Sequence, residues 1–183
     1  MPDALIMPAA TPSLSLAEAK SYLRIDGQVE DALVQGLIDA AVAMAEVFLR
    51  QRLMLATWQF ISNGPGVIDC VAVSNSPLKA INQIRVVSTA GTVALPSERF
   101  SQGTAKQIQS VLFTPPLRLA EDEQLEIDYR AGMAEDWNTL PGGIRQGLLR
   151  LIAHFYTYRD DPAVPALPAA VAALWQPFRM PRL

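Results

Sequence analysis

The side chains that could do chemistry are few and poorly grouped. His154 is the only histidine, so a histidine-rich metal site is excluded and a Ser-His-Asp nucleophile would have to use this one ring. It stands between Ala153 and Phe155 on a helical stretch, where a packed or surface role is the simpler reading. Glu121-Asp122-Glu123 has the residue types for acid and base work, yet three adjoining carboxylates in a hairpin loop are the pattern of a solvated charge run. Gly64-Pro65-Gly66 and Gly142-Gly143 lack the Lys-Ser/Thr or the third glycine of a phosphate-cradling loop. Cys70, the one cysteine, can form neither an internal disulfide nor a cysteine-rich zinc site, and reads as a small strand hydrophobe in a reducing cytoplasm. These residues imply no enzyme, no metal and no cofactor.

At 183 residues the chain can bury a core without staples. Its first twelve residues have no basic region ahead of an apolar stretch, and no run is read as long enough to span a membrane, so the sequence predicts a soluble protein without a signal peptide. Net charge is -3, distributed as -3 over residues 1–53, -3 over 54–140 and +3 over 141–183. Without a compact Lys/Arg cluster interleaved with aromatics, there is no footprint of a dedicated nucleic-acid reader, and only passing contact with DNA is compatible.

The elements that must position these residues fall into an α+β arrangement. Ser15-x-x-Glu18 is a capping box opening a short helix over about 16–24, ended by Asp26-Gly27. A second helix over about 30–51 carries Leu33, Leu37, Ala40, Met44, Val47 and Phe48 at spacings of three and four, the predicted buried stripe. Ala32, Gly36, Ala40, Ala41, Ala43 and Ala45 add small residues that allow close approach of other helices or subunits. Between 54 and 140 the period changes to two. Strands are predicted at 55–61, 67–73, 81–88, 93–95, 110–114 and 124–130, the first two as a hairpin about Asn63-Gly64-Pro65-Gly66. Pro141 starts a helix over 144–158, with Ile144, Leu148, Leu151, Ile152, Phe155 and Tyr156 facing the second helix. Asp160-Asp161-Pro162 stops it. Five of the fourteen prolines fall in 162–183, so residues 161–183 read as a proline-rich arm with one short apolar turn from Pro168 to Trp175. The predicted organisation is a bundle of two N-terminal helices (1–53) completed by a long helix (141–160), an inserted antiparallel β domain (54–140) and an extended C-terminal arm.

Ser15-Leu16-Ala17-Glu18-Ala19-Lys20-Ser21-Tyr22-Leu23-Arg24-Ile25-Asp26, Glu30-Asp31-Ala32-Leu33-Val34 and the passage from Arg50-Gln51-Arg52-Leu53 to Thr57-Trp58 resemble the head-to-tail connector (adaptor) family of long-tailed phages and gene transfer agents. So do residues 141–159, with Ile144-Arg145-Gln146 and His154-Phe155-Tyr156, and the ending from Leu167-Pro168 through Leu174-Trp175-Gln176-Pro177-Phe178-Arg179. The resemblance covers about half the chain, and it rests on the joint order of these segments. It implies a virion or transfer-agent component made in the bacterial cytoplasm and assembled at the capsid–tail junction. Its implied form is a ring, twelve copies in the family's pattern, under the portal protein and above stopper or tail-terminator proteins, with helices as the wall and a channel for DNA.

Within that frame Leu174, Trp175, Phe178 and Arg179 are the expected portal contacts, because aromatic and arginine side chains dominate binding hot spots. The competing expectation is that Trp175 and Phe178 fold back on the subunit's own helices. Lys20, Arg24, Arg50 and Arg52 are expected to make charged contacts between neighbouring copies, facing Glu30, Asp31 and Asp39. Two other classes stay open: a soluble binding module with a pocket in the β region, and a hydrolase using His154 or the acidic loop.

Overall fold

The computed structural model describes residues 3–10, 14–105, 108–159 and 165–180; the predicted helix stop at 160–162 lies outside them. The chain forms two units. Among the described residues, one is a β unit of 3–10, 55–105 and 108–133, the other a helical unit of 14–54, 134–159 and 165–180. The sequence reading places residues 1–53 with the helices and 54–140 with the strands, whereas in the structure 3–10 belong to the β unit and 134–140 to the helical unit.

The β unit is a two-sheet sandwich, every strand pair antiparallel. One sheet has the order β1 (Ala4–Met7), β2 (Ala56–Asn63), β8 (Gln124–Ala131), β4 (Leu78–Ser88), β5 (Gly91–Ala94); the other has β3 (Gly66–Ala72), β7 (Ile108–Leu119), β6 (Phe100–Ala105). Strand β8 shows why this sequence makes a sandwich. Leu125, Ile127, Tyr129 and Ala131 are all buried, while Glu126, Asp128 and Arg130 alternate with them on the other face. On that outward face Arg85 bridges Glu126 and Asp128 at 2.9 Å each. Val71, Val111, Phe113, Leu117 and Leu119 of the second sheet complete the core.

Three features depart from the sequence expectation. The predicted hairpin between residues 55–61 and 67–73 does not form: β2 pairs with β8 and β3 with β7, so Gly64-Pro65-Gly66 carries the chain from one sheet to the other. Strand β7 continues through Pro115-Pro116 instead of ending at Thr114. Strands β1 and β6 have no counterpart among the predicted strands. All four side chains of β1 are exposed, so it has no inward–outward alternation to read. Asp3 pins it: its carboxylate accepts from the Ser74 amide at 3.1 Å, the Ser74 hydroxyl at 3.3 Å and the buried Tyr129 hydroxyl.

The helical unit contains α1 (Leu16–Leu23), α2 (Asp31–Leu49), α3 (Gly142–Thr157) and α4 (Ala169–Trp175). Ser15 caps α1 by accepting from the Glu18 amide, and the helix ends at Arg24, which adopts the left-handed conformation, two residues before the Asp26-Gly27 stop. Lys20 then binds Asp31 and the Gly27 carbonyl, tying α1 to the start of α2. Tyr156 on α3 donates to Glu30 at 2.8 Å; that bond to a carboxylate favours the protonated phenol and raises its pKa.

The buried stripe of α2 is shifted by one residue from the predicted one. Val34, Ile38, Ala41, Ala45 and Leu49 are buried, whereas Leu33 is 38% and Val47 78% exposed. The cause is that α2 is apolar nearly all round, which leaves the period intact but does not set its phase. Between Ala32 and Leu49 only Asp39 and Glu46 are charged. By length and composition α2 meets the requirement for a membrane span, contrary to the expectation, and 28% of its most apolar window is buried in the subunit. Helix α3 packs on α2 as predicted, through Ile144, Leu148, Leu151 and Ile152.

Candidate docking surfaces

The C-terminal segment is built onto the helical unit by shape. Gly147, in the middle of α3, leaves a notch that the indole of Trp175 fills: a Cβ there would lie 2.1 Å from Trp175 Nε1. The ring is fully buried, donates Nε1–H to the Ile144 carbonyl at 3.3 Å, and meets Phe48 of α2 with ring centroids 5.9 Å apart. Phe178 lies over Gly143, where an added Cβ would come within 2.9 Å of its ring. Two main-chain contacts finish the attachment. Gln51 Nε2 donates to the Phe178 carbonyl at 2.6 Å, and the Met180 amide donates to the Leu49 carbonyl at 3.0 Å.

The four expected portal residues therefore occupy different positions. Trp175 points into its own subunit, as the fold-back alternative has it, and Phe178 and Leu174 are half-buried on α3. Arg179 is exposed, its guanidinium carbon 5.0 Å from the Phe48 ring centroid. Met44, Val47, Phe48, Arg50, Leu167 and Arg179 line a shallow groove of about 750 Å³, apolar in its floor with two arginines at its margin.

The four cations expected between copies are likewise separated by their surroundings. Lys20 is paired with Asp31, and Arg52 with Glu46 at 2.7 Å, both inside the subunit. Arg50, left-handed at the end of α2, is half-buried, and Arg24 is exposed. Sequence reading missed Gly147 as the seat of Trp175. A glycine inside an apolar-periodic helix was the available signal.

Among the described residues no catalytic geometry assembles. His154 Nε2 donates to the Pro165 carbonyl at 2.8 Å and the ring lies 5.1 Å from that of Tyr158, tilted by 48°, with no nucleophile or carboxylate bonded to it among the described residues. In the acidic loop, Asp122 accepts from Thr89 at 3.0 Å and Glu123 from the Ala120 amide at 2.8 Å, both structural bonds at exposed positions. Among the described residues no group of three or more His, Cys, Asp or Glu is placed to hold a metal. A shallow groove of about 680 Å³ in the β unit, beside Ile6, Met7, Thr57 and Arg130, has no buried polar side chain converging on it among the described residues.

Comparison with known proteins agrees with the resemblance read from the sequence. Residues 13–90 match the family described as Phage gp6-like head-tail connector protein. The fold matches a chain of the neck of an empty GTA particle computed with C6 symmetry, with a TM-score of 0.81 and 22% identity over 100% of this chain and 97% of that one. It also matches a chain of the neck of a native GTA particle computed with C12 symmetry (TM-score 0.77, 21% identity, 100% and 97% covered). A third match is in the virion of a native gene transfer agent particle (TM-score 0.75, 22% identity, 98% and 97% covered). A search of curated proteins gives no match.

Proposed function

Starting from a chain whose residues 13–90 carry the head-tail connector family's pattern, we propose that this protein is a structural adaptor of a phage-like or gene-transfer-agent particle. In this reading twelve copies form a ring under the portal, join the capsid to stopper and tail proteins, and leave a channel through which DNA passes. The observation that carries it is the agreement of fold over the whole chain, β unit and helical unit together, with a component of a GTA neck. Chemistry is compatible with the role. A closed ring needs two different contact patches on each copy. A channel in which DNA slides is served by weak phosphate binding, because each neutralised phosphate adds affinity through counterion release, and the chain's net charge of -3 is of the favourable sign.

The C-terminal segment remains the proposed portal contact, with its roles redistributed by the packing. Trp175 is the internal rivet that holds α4 on α3, and Leu174, Phe178 and Arg179 present the contact. Among the cations proposed between copies, Lys20 and Arg52 act through the pairs they already make, and Arg24 is the exposed member a neighbour can reach. Arg179→Glu tests the portal contact without disturbing the Trp175 seat. Co-purification with portal rings is expected to fall at least tenfold at unchanged melting temperature, and unchanged co-purification would sink the assignment.

A further inference from the structure

Helix α2 is apolar on two opposite sides, and its subunit uses one. The inner side is Val34, Ile38, Ala41, Ala45 and Leu49, all buried. Turned away from it lie Leu33, Gly36, Ala40, Ala43, Met44 and Val47, where Leu33, Gly36, Ala40, Ala43 and Val47 are exposed. The only polar arc is narrow: Gln35, Asp39 and Glu46 fall close together on the helical wheel, with Gln35 bonded to Asp39 at 3.0 Å and Glu46 bonded to Arg52. Ordinary surface helices put charge opposite their core face, and helices apolar all round are covered on all sides.

From this we infer that the outer side of α2, centred on Ala40, Ala43 and Val47, is the contact with the neighbouring copy of this chain. The inference rests on the ring reading. The occupant follows from symmetry: GTA necks that contain a chain of matching fold were computed with C12 and with C6 symmetry, and in a cyclic ring each copy is flanked by copies of itself. Gly36, Ala40 and Ala43 have side chains short enough to let a second backbone element come close, and Leu33, Met44 and Val47 frame them. Size is consistent with a central patch. A helix of 19 residues is about 28 Å long and about 10 Å wide, which supplies part of the roughly 800 Å² per partner of a standard interface. The rest is left to flanking loops. The same side explains how a helix can satisfy the composition of a membrane span in a ring component.

The test places a photo-crosslinking benzoylphenylalanine at Val47, with a control at Gln35, in the full chain assembled on portal rings, and counts copies by mass before irradiation. Covalent dimers of this chain from Val47, and at least tenfold fewer from Gln35, are the expected result. Rings present with no dimer, or with Val47 linked to another component, would overturn the inference and leave the ring reading standing. Absence of rings would remove both. Val47→Asp supplies the second arm: ring yield is expected to fall at least tenfold with the melting temperature of the free chain unchanged, and full ring yield would count against the contact. Partition of the native chain into phosphatidylcholine vesicles, with Val47 protected there, would assign the face to lipid instead.

Discussion

Gly147→Ala pits two effects of known sign against each other. Alanine in a helix interior is favoured over glycine by about 1 kcal/mol, so on propensity alone the variant gains stability. The notch says otherwise. An added Cβ would stand 2.1 Å from Trp175 Nε1, 2.7 Å from Cε2 and 2.8 Å from Cδ1, all atoms of one rigid ring. To reach ordinary contact near 3.5 Å the indole must retreat by roughly 1.5 Å, and it is fully buried with its N–H on the Ile144 carbonyl. Overpacking of this kind costs about 1–3 kcal/mol, and the strained or lost indole hydrogen bond about 1 more. The expected net loss is about 1–3 kcal/mol after the helix gain, a drop of roughly 10 °C in the melting temperature of the helical unit. Circular dichroism at the helical band, with hydrogen exchange at Ala169–Trp175, reads the effect, and exchange in α4 should rise most. In a Trp175→Leu background the added methyl has room, so Gly147→Ala should cost at least 1 kcal/mol less there. A Gly147→Ala chain as stable as the parent, with α4 equally protected, would refute the account of how the C-terminal segment is held.

Asp3→Ala removes the acceptor for Ser74 and Tyr129 and should free β1, with loss of exchange protection at Ala4–Met7 while β2 and β8 keep theirs; protection unchanged at β1 would show that its ladder with β2 suffices. Burial and the bond to Asp3 raise the pKa of Tyr129 well above its usual 10. Its contribution to stability is therefore complete below pH 10 and is lost as pH rises through the elevated value, and Tyr129→Phe should remove that part of the alkaline loss from the melting curves of the β unit. Ser15→Ala should cost about 1 kcal/mol, seen as early fraying of α1, because the Glu18 amide loses its cap.

Much of the fold could be read from residue order, and what could not has identifiable physical causes. Capping at Ser15, the start of α3 at Pro141 and the period of β8 are local signals, and each element stands where its signal places it. Strand β1 carries no such signal, since Asp3 makes its anchoring contact some seventy residues away at Ser74 and further still at Tyr129. Strand β6 is a polar run, Phe100-Ser101-Gln102-Gly103-Thr104-Ala105, that needs β7 beside it to become a strand. The partners of β2 and β3 are set by the two sheets, and the turn between them carries no record of that choice. For the candidate surfaces, the chemical types at the C-terminus pointed to a contact, but Trp175 is claimed by Gly147, a complementarity between residues 28 apart that composition does not display. On α2 the stripe chosen by period lies one residue, about 100° of helix, from the buried one: it takes in the exposed Leu33, Ala40 and Val47 but also Phe48, which meets Trp175 inside the subunit. A helix with two apolar sides satisfies the pattern twice, and only the structure tells which side its own subunit covers.

Assembly into a ring on the portal is read directly from the mass of the native chain with and without portal rings. The expected complex carries twelve copies of this chain per portal ring. A chain that stays monomeric or dimeric in the presence of portal, with no bound copies, would contradict it.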